Sequence, residues 1–196
     1  MRPHLHIAIG ALTLASLATL WSPSTALANT EQPNMDPAPA KLMVKGTLST
    51  PAAGVTDLKF GEMFKMPVGP KGLEPSDKLS TLSGQRVRMV GYVANAEEPT
   101  PGLLILSPLP VVLGDEDEKL VDDLPPTAVF VHLSSAYAKQ ATPNYSGLVQ
   151  LTGRLEVGAQ EEADGHVSAT RLVLDDATSR LLTTPAKGKH AARPKH

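Results

Sequence analysis

The chain has no cysteine. That excludes disulfides, thiolate-ligated zinc, iron–sulfur centres and thiol redox chemistry. Whatever compartment the protein works in, its fold rests on packing alone. Aromatic residues are sparse: one Trp, three Tyr and three Phe in 196 residues. The one Trp, Trp21, falls in the N-terminal apolar run, so the rest of the chain offers little stacking surface. Positive charge is not in excess, with 18 basic against 20 acidic side chains. That balance argues against a general attraction to nucleic acid or anionic lipid. Catalytic signatures are missing too: there is no Gly-x-Ser-x-Gly, no His-Glu-x-x-His and no phosphate loop. Paired carboxylates such as Glu161-Glu162 are expected in a solvated hairpin loop. The sequence therefore predicts a protein that is not an enzyme and holds no cofactor, a divalent cation apart.

What is present begins with an export signal. Arg2, with His4 and His6, precedes an apolar run from Ile7 to Trp21, and Ala26-Leu27-Ala28 supplies a small-x-small cleavage site. The run is short of the roughly 20 apolar residues of a bilayer span. No Cys follows Ala28 to carry a lipid, and no second apolar run is long enough to cross a membrane. The expectation is a signal peptide over residues 1–28 and a soluble exported product, periplasmic in a cell with two membranes and secreted in a cell with one.

Residues 29–54 are rich in proline and small polar residues near their start and read as a flexible leader. Residues 183–196, with no apolar side chain larger than Ala, read as a disordered basic tail. Between them, over 55–182, five segments have strand character. Gln85–Ala94 and Leu148–Val157 alternate apolar and polar residues. Gly102–Ser107 is a short apolar run, Thr127–Leu133 is β-branched and aromatic, and Val167–Leu174 is the fifth. Asp164-Gly165 is a tight-turn signal that makes a hairpin of the last two. Ser134–Gln140 reads as a short helix capped by Ser134 or Ser135 and ended by Pro143. Five strands with a helix between the third and fourth is the order of the OB-fold. The interior glycines Gly91 and Gly153 suit barrel bends or bulges. The fold class expected is thus all-β, a small OB-like barrel with an N-terminal extension and disordered ends.

From Leu82 to Leu174 the chain resembles a functionally uncharacterised family of exported bacterial proteins with an OB-like barrel. The resemblance is carried by Leu82-Ser-Gly-Gln-Arg-Val-Arg-Met-Val-Gly-Tyr-Val93, Leu104-Ile-Leu-Ser-Pro108, Leu124-Pro-Pro126, Val149-Gln-Leu-Thr-Gly153 and Arg171-Leu-Val-Leu174. It covers about half the chain and implies location and fold, but no reaction. Related proteins often have a Cys after the second strand; this chain has Val111-Val112-Leu113-Gly114 there, so no metal or redox role passes to it by that route.

Two surfaces stand out as candidate sites. The loop from Phe60 to Pro75 concentrates apolar residues between prolines and glycines, and Phe60, Phe64, Met66, Pro70 and Leu73 are the residues expected to meet a partner. The acidic stretch Asp115-Glu116-Asp117-Glu118, followed by Asp122-Asp123, offers oxygen ligands for a hard cation. With Asp115, Asp117, Asp122, Asp123 and His132 it is the candidate metal site, although the EF-hand spacing is lacking. Met43, Met63, Met66 and Met89 are soft donors better explained as core filling. Arg86, Arg88 and Arg154 are the basic residues a nucleic-acid groove would use, too few beside an acidic loop. The functional expectation is an exported, non-enzymatic binding or accessory module with a protein partner in the cell envelope. The alternative is a periplasmic metal-binding protein using residues 115–123.

Overall fold

The computed structural model describes residues 35–70, 72–96, 98–113 and 124–184. The expected signal peptide, the start of the leader, Asp115, Asp117, Asp122 and Asp123, and nearly all of the basic tail lie outside the described residues.

The described chain is mostly strands with few helices. The strands are β1 (Asp36–Pro37), β2 (Thr56–Asp57), β3 (Arg86–Val93), β4 (Asn95–Ala96), β5 (Leu103–Ser107), β6 (Val112–Leu113), β7 (Val129–His132), β8 (Tyr145–Ser146), β9 (Leu148–Glu161) and β10 (Val167–Leu174). The helices are α1 (Asp77–Leu82) and α2 (Asp176–Thr183). The main sheet has the order β2-β3-β5-β7-β10-β9, and β9 pairs with β3 as well. One long strand does both jobs: residues Leu148–Arg154 face β3, and residues Gly153–Glu161 face β10. The β7–β10 pair is parallel and the β9–β10 pair is an antiparallel hairpin. Its turn closes at Asp164-Gly165, with Gly165 at φ +88°.

Alternation decides which side chains form the core. Val87 and Met89 of β3, Val129 and Val131 of β7, Val149, Leu151 and Leu155 of β9, and Leu172 of β10 are fully buried on one side. Leu58, Met63, Leu79 and Leu182 join the same cluster from outside the main strands. The intervening residues Leu103 and Ile105 of β5 and Phe130 of β7 belong to a second, smaller cluster, covered by Val111, Leu113 and Leu124. Both faces of β5 are therefore buried, which explains its unbroken apolar run.

The two strand glycines are required by close backbone approach. A Cβ on Gly91 would lie 2.7 Å from the Ser107 carbonyl oxygen and 2.9 Å from the Phe60 ring. One on Gly153 would lie 2.6 Å from the Val173 carbonyl oxygen. The one irregularity of the hairpin ladder lies elsewhere: Ser168 and Thr170 of β10 face Gln160 and Val157, so β9 carries one extra residue at Gly158-Ala159.

The helices differ from expectation. Between β7 and β8 only a single 3-10 turn forms, at Ser135–Tyr137, and no side chain caps it. The longer helix is α2, after β10, where Asp175 accepts the Thr178 N–H at 2.8 Å. Burial raises the Asp175 pKa, but the hydrogen bonds from Thr178 and from Arg86 outweigh it and hold the carboxyl below its usual value. The helix is invisible to periodicity because α2 is short and only Ser179 and Leu182 are buried. The leader also has structure. From Asp36 onward it runs along β8 and β9 and buries Ala38 and Leu42.

Candidate functional site

Over its described residues, 60–70 and 72–75, the Phe60–Pro75 loop forms a finger. Its base starts with a 3-10 turn at Phe60–Glu62, where the Lys59 N–H donates to the Glu62 carboxylate at 3.0 Å. The Lys78 ammonium donates to the same carboxylate at 2.6 Å. That ammonium and then the Lys59 N–H hold the Glu62 carboxyl below its ordinary pKa. Ser76 caps α1 by accepting the Leu79 N–H at 3.0 Å, and its hydroxyl donates to the Glu62 carbonyl at 2.6 Å. Met63 and Leu79 are fully buried beneath this knot. Above it the two arms pair as a small hairpin, with bridges Phe64–Pro75 and Gly69–Gly72. The Lys65 N–H donates to the Glu74 carbonyl at 2.9 Å. The Met66–Pro67 peptide is cis.

The finger divides the expected partner-binding residues in two. Phe60 and Phe64 are half-buried and pack against the core, Phe60 beside the space left by Gly91. They hold the finger to the body of the protein. Met66, Pro70 and Leu73 are exposed. Met66 is 74% exposed and Val68, which the sequence did not single out, is 52% exposed. These are large values for apolar side chains held on an ordered hairpin.

Arg88, a basic residue considered for nucleic acid, is sequestered. Its guanidinium donates twice to Asp57, at 2.6 and 2.8 Å, and once to the Ser49 carbonyl at 2.9 Å. The Arg88 hydrogen bonds hold the Asp57 carboxyl below its ordinary value, against a smaller contribution from burial. This bidentate pair ties β2 to β3.

His132, expected as a metal ligand, meets a carboxylate instead. Its Nε2 lies 2.9 Å from the Glu162 carboxylate, off the axis of an aligned hydrogen bond. Glu162 was expected to be solvated; it is 7% exposed. The reason is local: the fully buried Ser168 hydroxyl donates to its other oxygen in a very short contact. Arg171 donates to Ser168 at 3.0 Å and to the Gly158 carbonyl at 2.7 Å. On the same hairpin His166 lies 3.2 Å from Asp164, and its ring is 6.0 Å from that of Phe130. Sequence reasoning missed this network because Ser168 and Arg171, three apart in a strand, should face opposite ways. The bulge lies in β9, at Gly158-Ala159, and the long Arg171 side chain donates to the Gly158 carbonyl while also reaching the Ser168 hydroxyl. Among the described residues no three or more His, Asp or Glu side chains converge to hold a metal ion. The methionines do not gather either: Met63 and Met89 are in the core, while Met66 is at the finger tip.

A shallow depression beside β5 is lined by Ala94, Ala96, Pro99, Leu103, Leu113 and Asn144, among others. Its volume is about 40 Å³, room for a few waters. Among the described residues no helix is long and apolar enough to cross a membrane.

No protein-family profile matches this chain, and no curated protein matches it. Among solved structures it is similar to a DUF3299 family protein from Pseudomonas aeruginosa PAO1, whose crystal structure was determined at 2.45 Å resolution. The two are 11% identical with a TM-score of 0.39, and the similarity covers 62% of this chain and 93% of that one. That neighbour is a member of an uncharacterised family.

Proposed function

We propose that the protein is an exported, non-enzymatic accessory module that binds a protein partner in the cell envelope through the tip of the Phe60–Pro75 finger. The reading of the body as an OB-like five-stranded barrel (β3, β5, β7, β9 and β10) rests on the pairing order and on the return of β9 to β3. The export reading rests on the Arg2–Ala28 sequence. The observation that carries the functional reading is the exposure of Met66, Val68 and Leu73 on a hairpin whose base is fixed by Glu62, Met63 and Ser76. An apolar tip carried on a fixed base needs less ordering on docking, which favours binding.

The test is a photo-crosslinking residue placed at Val68 in cells, compared with the same chain carrying Met66→Asp and Leu73→Asp. A discrete crosslinked protein that disappears in the double variant supports the reading. Equal crosslinking in both chains, together with full rescue of a deletion strain by the double variant, overturns it.

A further inference from the structure

The segment expected to be a flexible leader is seated on the sheet. Asp36 and Pro37 pair in parallel with Tyr145 and Ser146. The Asp36 N–H donates to the Asn144 carbonyl at 2.8 Å. The chain turns at Pro39, whose carbonyl accepts from Leu42 and Met43. It then runs antiparallel to the start of β9, with Met43 opposite Val149. There the Val44 N–H donates to the Leu148 carbonyl at 2.9 Å, and the Gln150 N–H donates to the Leu42 carbonyl at 2.7 Å. Ala38, 3% exposed, and Leu42, 8% exposed, are the buried anchors, and Met43 packs against the core.

The pairing of the other strands shows why this edge takes a strand. Residues Leu148–Gln150 of β9 face β3 on one side. β10 ends opposite Gly153, so the other side of Leu148–Gln150 has no partner in β10. An open edge of this kind binds any extended segment able to supply the missing hydrogen bonds. Residues 36–44 supply them. They are joined to β2 by residues 45–54, which are mostly exposed and include Gly46 and Gly54 at positive φ.

We infer that β8 and the start of β9 form an acceptor groove on the sheet edge, and that residues 36–44 are a separable, turned segment held in it in cis. The groove selects a segment that pairs in parallel with β8, turns and then pairs antiparallel with β9, with a small residue at the position of Ala38 and a Leu-Met pair at the positions of Leu42 and Met43. Affinity from main-chain pairing at an open edge, with selection by buried side chains, is the chemistry of strand addition.

The test is a protease recognition sequence inserted between Gly46 and Thr47 in the otherwise intact protein, cut under native conditions. The released fragment stays with the body on gel filtration, and the β-sheet circular dichroism is unchanged. A fluorescent peptide of residues 35–45 then exchanges into the cut protein saturably, as read by anisotropy. The same peptide with Leu42→Asp binds roughly 10- to 100-fold more weakly, the loss expected for one buried leucine. In the uncut protein the labelled peptide does not bind, because the groove is filled. Unfolding on cutting overturns the inference. So does failure of the native peptide to bind the cut protein, or equal binding of the Leu42→Asp peptide.

Discussion

The phenol of Tyr145 donates a 2.5 Å hydrogen bond to the carbonyl of Leu182, tying β8 to the last turn of α2. Tyr145 is 2% exposed, and its own N–H donates to the Asn95 side chain at 3.0 Å. Burial, and secondarily the Asp36 carboxylate, pushes its pKa up to about 12. A tyrosine with a folded pKa above its unfolded value adds stability that is fully present below pH ~10 and is lost as pH rises through about 12. A rise from 10.0 to about 12 is worth roughly 2–3 kcal/mol. Tyr145→Phe is expected to cost about 1–3 kcal/mol near neutrality, by leaving the Leu182 carbonyl without its donor. Urea unfolding between pH 7 and pH 11 checks both points: the wild-type advantage should shrink in the alkaline range.

The Asp57–Arg88 pair gives the opposite slope. The folded pKa of Asp57 is lowered, so its contribution is present above the unfolded value of 3.8 and is lost as pH falls through the folded one. Asp57→Asn should be less stable than wild type at pH 6, and the two should converge in strong acid. Melting temperatures across pH 2–6 show the convergence or its absence.

Gly153→Ala places a Cβ 2.6 Å from a backbone oxygen of β10, which cannot swing aside as a side chain could. The expected loss is about 1–3 kcal/mol or more, the usual cost of overpacking. Gly147→Ala also costs stability, because Gly147 has φ +93°, but there the neighbouring space is empty. Chemical denaturation of the two variants separates steric crowding from backbone strain.

The finger should show a sharp gradient of sensitivity. Met63→Ala removes a fully buried side chain at its base and should cost about 2–5 kcal/mol. Met66→Asp and Leu73→Asp at the tip should change stability by less than about 0.5 kcal/mol. Thermal melts of the three variants measure the contrast, and only the tip variants should retain the wild-type melting temperature.

Glu162→Ala should destabilise the β9–β10 hairpin by about 1–3 kcal/mol, since it strips the buried Ser168 hydroxyl of its acceptor and His132 of its carboxylate. Amide exchange should accelerate first at Val167 and Ser168. Protection there equal to wild type would show that the network adds nothing.

The sequence by itself determined where the five longest strands run and how two of them turn. Alternating or β-branched runs mark β3, β7, β9 and β10, and Asp164-Gly165 marks the hairpin, because period-two burial and turn conformation are properties of adjacent residues. It marked the Phe60–Pro75 loop as a concentration of apolar residues, and the lack of cysteine excluded disulfides as a source of stability. Tertiary structure decided the rest. Whether Phe60 anchors or docks depends on the room left by Gly91, on a different element of the fold. Whether residues 36–44 are free or seated on the sheet depends on an edge far along the chain, where Ser146 meets the Asp36 carbonyl. Whether Glu162 is solvated depends on the buried Ser168 hydroxyl across the hairpin and on His132 of a strand that is not its neighbour in sequence. Partners brought together by sheet pairing leave no local periodicity, so only the folded chain reveals which polar groups are buried and which apolar ones stay outside.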